Sequence, residues 1–167
     1  MTDLIRIANC SGYYGDKLSA AKEMVEGGPI DVLTGDYLAE LTMTILFNQR
    51  MQRGEDKGYV GTFLKQIKEI AHTCKSKNIK VVTNAGGLNP QSMANEIEKI
   101  LAELKIDLKV AYITGDDLMP RMDDLIQLNE PFNNIDKGTP LQESDCHTLT
   151  ANACLLYTSD AADERLG

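Results

Sequence analysis

Short apolar, β-prone runs alternate along the chain with longer stretches whose apolar residues return every three or four positions. Leu4 to Ala8 is the first run, and Asn9-Cys10-Ser11-Gly12 breaks it. Lys17 to Glu26 then shows helical period, with Leu18, Ala21, Met24 and Val25 on one face, and Gly27-Gly28-Pro29 stops it. Ile30 to Thr34 predicts a second strand. Leu38, Leu41, Ile45 and Leu46 mark a second helix, and the turn residues Arg53 to Gly58 end it. A third helix carries Phe63, Leu64, Ile67, Ile70, Ala71 and Cys74. Ile79 to Thr83 predicts strand three, and Met93, Ile97, Ile100, Leu101 and Leu104 predict helix four. Leu108 to Ile113 predicts strand four, and Met119 to Leu128 a fifth helix.

Strands that alternate with helices of this length imply βαβ units and a parallel sheet. The expected fold is therefore α/β, an open and mainly parallel sheet with flanking helices, in a Rossmann-like three-layer arrangement. The strands read as unbroken apolar runs, as expected when both faces are covered. No internal repeat or low-complexity segment stands out. Asn129 to Asp145 is polar and rich in turn residues, the length of a functional flap or a disordered loop. His147 to Ala151 is a candidate fifth strand.

Composition narrows the partners. Net charge is −8, which disfavours nucleic acid and anionic membrane surfaces. No run of apolar residues is long enough for a membrane helix, and Met1 to Cys10 lacks the layout of a signal peptide. The expected location is cytoplasmic. The 4 cysteines (Cys10, Cys74, Cys146 and Cys154) have no metal-binding spacing and are expected as free thiols. The 2 histidines, His72 and His147, do not suggest a zinc site.

Candidate chemistry collects where the strands end. The expected strands run out into NCSG, TGDY, TNAGGLNP, TGDD and TANA. In a parallel sheet these carboxyl ends share one edge, where open α/β sheets bind ligands. Candidate ligand-binding residues are therefore Asn9, Ser11, Gly12, Gly35, Asp36, Asn84, Gly86, Gly87, Asn89, Gly115, Asp116, Asp117 and Asn152. The loop Ser11 to Asp16 either offers backbone N–H groups to an anion or is a plain turn with Asp16 as helix cap. It matches neither common nucleotide fingerprint, so a nucleotide-binding reading is weak. Asp36, Asp116 and Asp117 precede helices, where capping is the ordinary role of Asp. Together they are also candidates for Mg²⁺. Two carboxylates about 4 Å apart near a surface repel by about 4 kcal/mol, so convergence calls for a cation or a shared proton. In Asn84 to Pro90 the paired glycines and two asparagines suit close backbone approach and uncharged hydrogen bonding to a ligand. Cys10 lacks a neighbouring base in the sequence and reads as a buried thiol rather than a nucleophile. His72 reads as structural.

These stretches also carry a resemblance. IRIANCSGYYGD, GGPIDVLTGDYLAELTMTIL, IKVVTNAGGLNP, GDDLMPR, PFNNIDKG and LTANA resemble the N-terminal part of the acyclic terpene utilisation A (AtuA-like) family, in order over residues 3–153. The resemblance implies a cytoplasmic bacterial protein of citronellol- or geraniol-type catabolism, linked to acyl-CoA carboxylase and other acyl-CoA enzymes. It transfers no reaction. An enzyme would act on an acyclic isoprenoid acid or its CoA thioester, with Asp36 or Asp116 as candidate general base and a CoA-type ligand as the cofactor candidate. The alternative is a non-catalytic binding or assembly protein for acyl-CoA pathway enzymes.

The resemblance implies a continuation beyond Ala153, so the C-terminal remainder of the same protein is an expected partner. Cys154 to Glu164, CLLYTSDAADE, departs from it and resembles the translation of a transposon-end sequencing adapter. The expected organisation is an incomplete AtuA-like α/β domain over 1–153 and a non-native tail over 154–167.

Overall fold

A computed structural model describes residues 4–128, 132–134, 136–141 and 150–152. The candidate strand over 147–151 and the tail over 154–167 lie mostly or wholly outside the described residues. The chain divides into two compact units, Met1–Ile113 and Thr114–Gly167.

The first unit holds three parallel strands in the order β1 (Ile7–Asn9), β2 (Val32–Gly35), β3 (Lys80–Thr83). Ala8 pairs with Leu33, and Leu33 with Val81. This row points into the core with Ala21 and Val25 of α1 (Ala20–Gly27), Ile67, Ile70 and Cys74 of α3 (Gly61–Lys77), and Met93 and Ile97 of α4 (Pro90–Glu103). The predicted apolar faces of α3 and α4 are the buried ones, whereas of the face predicted for α1 only Ala21 and Val25 are buried, and Leu18 and Met24 are exposed. α3 closes on Asn78 in the left-handed conformation (φ 54°), where its N–H reaches the Cys74 and Lys75 carbonyls. α4 opens on Pro90 behind an Asn89 cap. Between β2 and α3 lies α2 (Glu40–Arg53), which buries Thr42 and Leu46.

Two expectations are corrected. The strands are not covered on both faces. Side chains alternate along a strand, and the row opposite Leu33 lies open, with Ile7 66% and Val82 59% exposed. The cause is topological. Crossovers that step in one direction, all right-handed, place their helices on one side of the sheet. Accordingly α1 packs on α3 and α3 on α4. Leu108 to Ile113 also forms no strand ladder. Leu108 and Val110 still pack against the core while Lys109 and Ala111 face outward. The segment is therefore seated on the core by alternate residues, without a hydrogen-bonded strand neighbour among the described residues.

In the second unit the fifth helix starts as a 3₁₀ turn, Met119–Arg121, and continues as α5, Met122–Gln127. Pro120 in that first turn has no N–H to donate. No helix among the described residues is long and apolar enough to cross a membrane.

Candidate functional site

Three of the five strand-end segments meet at the carboxyl edge of the first unit. Cys10 N–H donates to the Thr34 carbonyl (2.8 Å) and Asp36 N–H to the Ser11 carbonyl (3.0 Å), so the chain after β1 and after β2 leaves the sheet side by side. Asn84, just past β3, ties in the third segment. Its Oδ1 accepts the Tyr37 N–H at 2.8 Å and its Nδ2 donates to Asp36 Oδ1 at 2.7 Å. The exposed Asp36 carboxylate thus stands beyond the middle strand with one oxygen held by a neutral amide. Nor does it cap α2, which starts at Glu40 behind Ala39.

Around it, most polar groups have internal partners. Asn9 Nδ2 donates to the Ser11 carbonyl (2.9 Å), and Asn9 Oδ1 accepts the Thr34 hydroxyl (3.1 Å). Buried Ser11 gives its hydroxyl to the Tyr13 carbonyl at 3.0 Å. Asp16 is not the cap of α1. Its carboxylate closes the loop on itself, accepting the Gly12 N–H (3.0 Å) and the Lys17 N–H (2.7 Å). These bonds, Gly12 first, hold its carboxyl below the usual range. One of the loop N–H groups considered for an anion, that of Gly12, is thus taken by a carboxylate of the loop itself. α1 consequently starts later than its apolar period suggests, at Ala20.

Beneath the edge lies a buried polar pair. The Tyr37 hydroxyl donates to Gln66 Oε1 at 2.6 Å, and Gln66 Nε2 donates to the Leu18 carbonyl at 3.2 Å. Cys10 Sγ lies 3.9 Å from the phenol oxygen. Burial pushes the Tyr37 phenol up, and it pushes the Cys10 thiol up as well. Cys10 therefore lacks the lowered pKa of a nucleophile. The chain did carry a signal for this pair. Gln66 interrupts the apolar stripe of Phe63, Ile67 and Ile70, and a polar residue at such a position needs a buried partner.

The glycine segment after β3 is packed rather than open. Gly86 lies so close to Pro90 that an added Cβ would stand 2.7 Å from the proline Cβ. Gly87 (φ 52°) lies against Leu46 and the Gly58 carbonyl. Asn89 caps α4 by accepting the Ser92 N–H at 3.1 Å, and its amide donates to the Glu55 and Lys57 carbonyls at 2.9 and 3.3 Å. Buried Gly35 lies against Tyr37 and Cys10.

The other candidates gather in the second unit. Asp117 and Asn152 form an antiparallel bridge, and Leu118 N–H donates to the Ala151 carbonyl at 2.8 Å. Asn152 Nδ2 donates to Asp116 Oδ2 at 3.0 Å. Asp117 Oδ1 accepts the Met119 N–H at 2.9 Å and so caps the 3₁₀ turn. Gly115 takes φ 125°. The TGDD and TANA segments therefore meet, as do the first three. Among the described residues no three His, Cys, Asp or Glu side chains come together as a metal-ligand set.

Cys74 is buried without a partner that could hold a thiolate, and burial pushes its pKa up to about 11. In the native chain Cys10 and Cys74 should resist iodoacetamide near pH ~8 and label after unfolding. Peptide mass spectrometry reads each cysteine separately. Native labelling at the unfolded rate would refute the burial. Because the folded pKa of Cys74 lies above the unfolded one, its contribution is intact below the unfolded value. It is lost as pH rises towards about 11.

Comparison with known protein families gives a match. The family model described as acyclic terpene utilisation family protein AtuA matches residues 5–157. No curated protein and no solved structure matches. The match spans most of the chain and includes every strand-end segment described above, so the chain belongs to the acyclic terpene utilisation family AtuA.

Proposed function

We propose that this chain binds an acyclic isoprenoid acid or its CoA thioester at the carboxyl edge of the sheet, with Asp36 as its reactive carboxylate. Acyclic terpene utilisation supplies the substrate class. The observation that carries the reading is the Asp36 carboxylate itself, exposed beyond the middle strand and braced by Asn84. A carboxylate held in one orientation is ready to take a proton from a carbon next to a thioester or to orient a hydroxyl. An anionic ligand group is repelled there unless Mg²⁺ bridges it or its charge is held elsewhere. Asp116 is the corresponding candidate in the second unit.

Calorimetric titration of the full chain with geranoyl-CoA and with geranic acid, each with and without Mg²⁺, tests the reading. Saturable binding that Asp36→Asn weakens by about tenfold or more is the expected result. Absence of saturable heat with every ligand would overturn it.

A second reading, a binding or assembly protein for acyl-CoA pathway enzymes, is favoured by the open sheet face that carries Ile7 and Val82. Under it, the full chain co-purifies with the pathway carboxylase, and Ile7→Lys with Val82→Lys abolishes the association while the fold persists. Co-purification unchanged by both substitutions would remove this face as the interface.

A further inference from the structure

The tripeptide Thr-Gly-Asp occurs twice, at residues 34–36 and 114–116. Both copies end in the same contact. The Asp carboxylate accepts a hydrogen bond from an asparagine amide brought in from far along the chain. Asn84 serves Asp36 at 2.7 Å, and Asn152 serves Asp116 at 3.0 Å. Each asparagine also grips the residue that follows the aspartate. Asn84 Oδ1 accepts the Tyr37 N–H, and Asn152 pairs with Asp117 across an antiparallel bridge.

The backbones differ. Gly35 is buried at the end of β2, whereas Gly115 is exposed with φ 125°. The shared contact is therefore not the by-product of one turn type. Asp36 is exposed and its Oδ1 also accepts the Leu38 N–H at 3.4 Å, Asp116 is partly buried, and in both corners the second carboxylate oxygen has no described protein partner. Helix capping does not explain either one, since α2 begins at Glu40 and the 3₁₀ turn is capped by Asp117.

We propose that Asn84 and Asn152 are positioning residues, each fixing the carboxylate of a Thr-Gly-Asp corner so that one oxygen is held and the other meets a ligand. The proposal rests on the ligand-binding reading above and adds what the carboxylates recognise. An amide orients a carboxylate without neutralising it. No described Lys, Arg or His forms an ion pair with either aspartate. The remaining oxygen therefore selects a hydrogen-bond donor, such as a hydroxyl or an amide N–H of the kind carried along a pantetheine arm. An acidic group of a ligand is held away from such a corner.

Asn84→Asp tests this with a change of one atom. It keeps volume and the acceptor for Tyr37 N–H, but it removes the donor and sets a charge against Asp36. The double variant Asn84→Asp/Asp36→Asn reverses the bond, with the amide now at 36 and the carboxylate at 84. Asn152→Asp and Asn152→Asp/Asp116→Asn form the parallel set.

In the full chain, each single variant should lower the unfolding temperature and weaken geranoyl-CoA by about tenfold or more. Each double variant should recover the unfolding temperature but not the affinity, because the carboxylate stands on the wrong residue. Recovery of both would make the pair structural and overturn the proposal, as would single variants that change neither. If the unaltered chain binds neither geranoyl-CoA nor geranic acid, the ligand reading of the preceding subsection fails. The positioning claim is then decided by side-chain amide NMR. Slowly exchanging Asn84 and Asn152 amide protons that lose protection in Asp36→Asn and Asp116→Asn support it. Amides indistinguishable from exposed ones overturn it.

Discussion

Leu33→Ala should cost about 2–5 kcal/mol of stability, read as an earlier midpoint in urea unfolding of the full chain. Leu33 is 0% exposed and sits in the central strand between Ala8 and Val81. Truncation removes its burial and leaves a void beneath helices that close over it from one side only. Against a typical total of about 5–15 kcal/mol this is a large share. The matched control is Val82→Ala, one residue beyond Leu33's partner and on the opposite face. At 59% exposure it should change stability by no more than about 0.5 kcal/mol. The contrast is the test. Comparable losses at both positions would show that a second layer covers the open face in solution, and the one-sided fold described above would be wrong.

That one-sidedness also marks how far the sequence could be read. The period of three to four residues in Phe63 to Cys74 and Met93 to Leu101 identified both the helices and their buried faces. This works because an amphipathic helix carries its orientation in its own pattern. Apolar runs such as Leu4 to Ala8 carry no such information. They are equally compatible with two covered faces and one, and the decision lies in the strand order β1-β2-β3, which is a property of the whole topology. Leu108 to Ile113 fails as a strand for a related reason. Its alternation seats Leu108 and Val110 on the core without requiring a hydrogen-bonded neighbour.

At the candidate site, residue type was legible and partnership was not. Asp36, Asn84, Asp116 and Asn152 all stood out as polar residues at strand ends. Which asparagine would meet which aspartate depends on contacts 48 and 36 residues apart. Asp16 shows the opposite case. A nearby carboxylate that could have capped a helix turns back to the Gly12 N–H, a choice set by loop geometry and not by composition.

Gly87→Ala should destabilise the chain by roughly 2–5 kcal/mol, combining the cost of a left-handed conformation for alanine with overpacking. At φ 52° a Cβ would stand 2.8 Å from the Gly58 carbonyl oxygen and would also meet the Leu46 side chain. The flexible leucine can shift, but the carbonyl cannot move freely. It already accepts the Leu88 N–H at 2.8 Å, and the neighbouring Glu55 and Lys57 carbonyls are held by the Asn89 amide. Pushing Gly58 away therefore loosens the whole attachment of the 54–58 turn to the start of α4. Gly12→Ala is the counterpart. Nothing lies within 4 Å of its Cβ position, so the fold should tolerate it, and an effect on it alone would report ligand contact. Together the two variants separate the roles that paired glycines in a strand-end loop can play. Gly87→Ala that unfolds early confirms that the segment after β3 fastens the corner bearing Asn84. Gly87→Ala with unchanged stability and lost geranoyl-CoA binding would mean that the glycine is there for the ligand, and the packing account would fall.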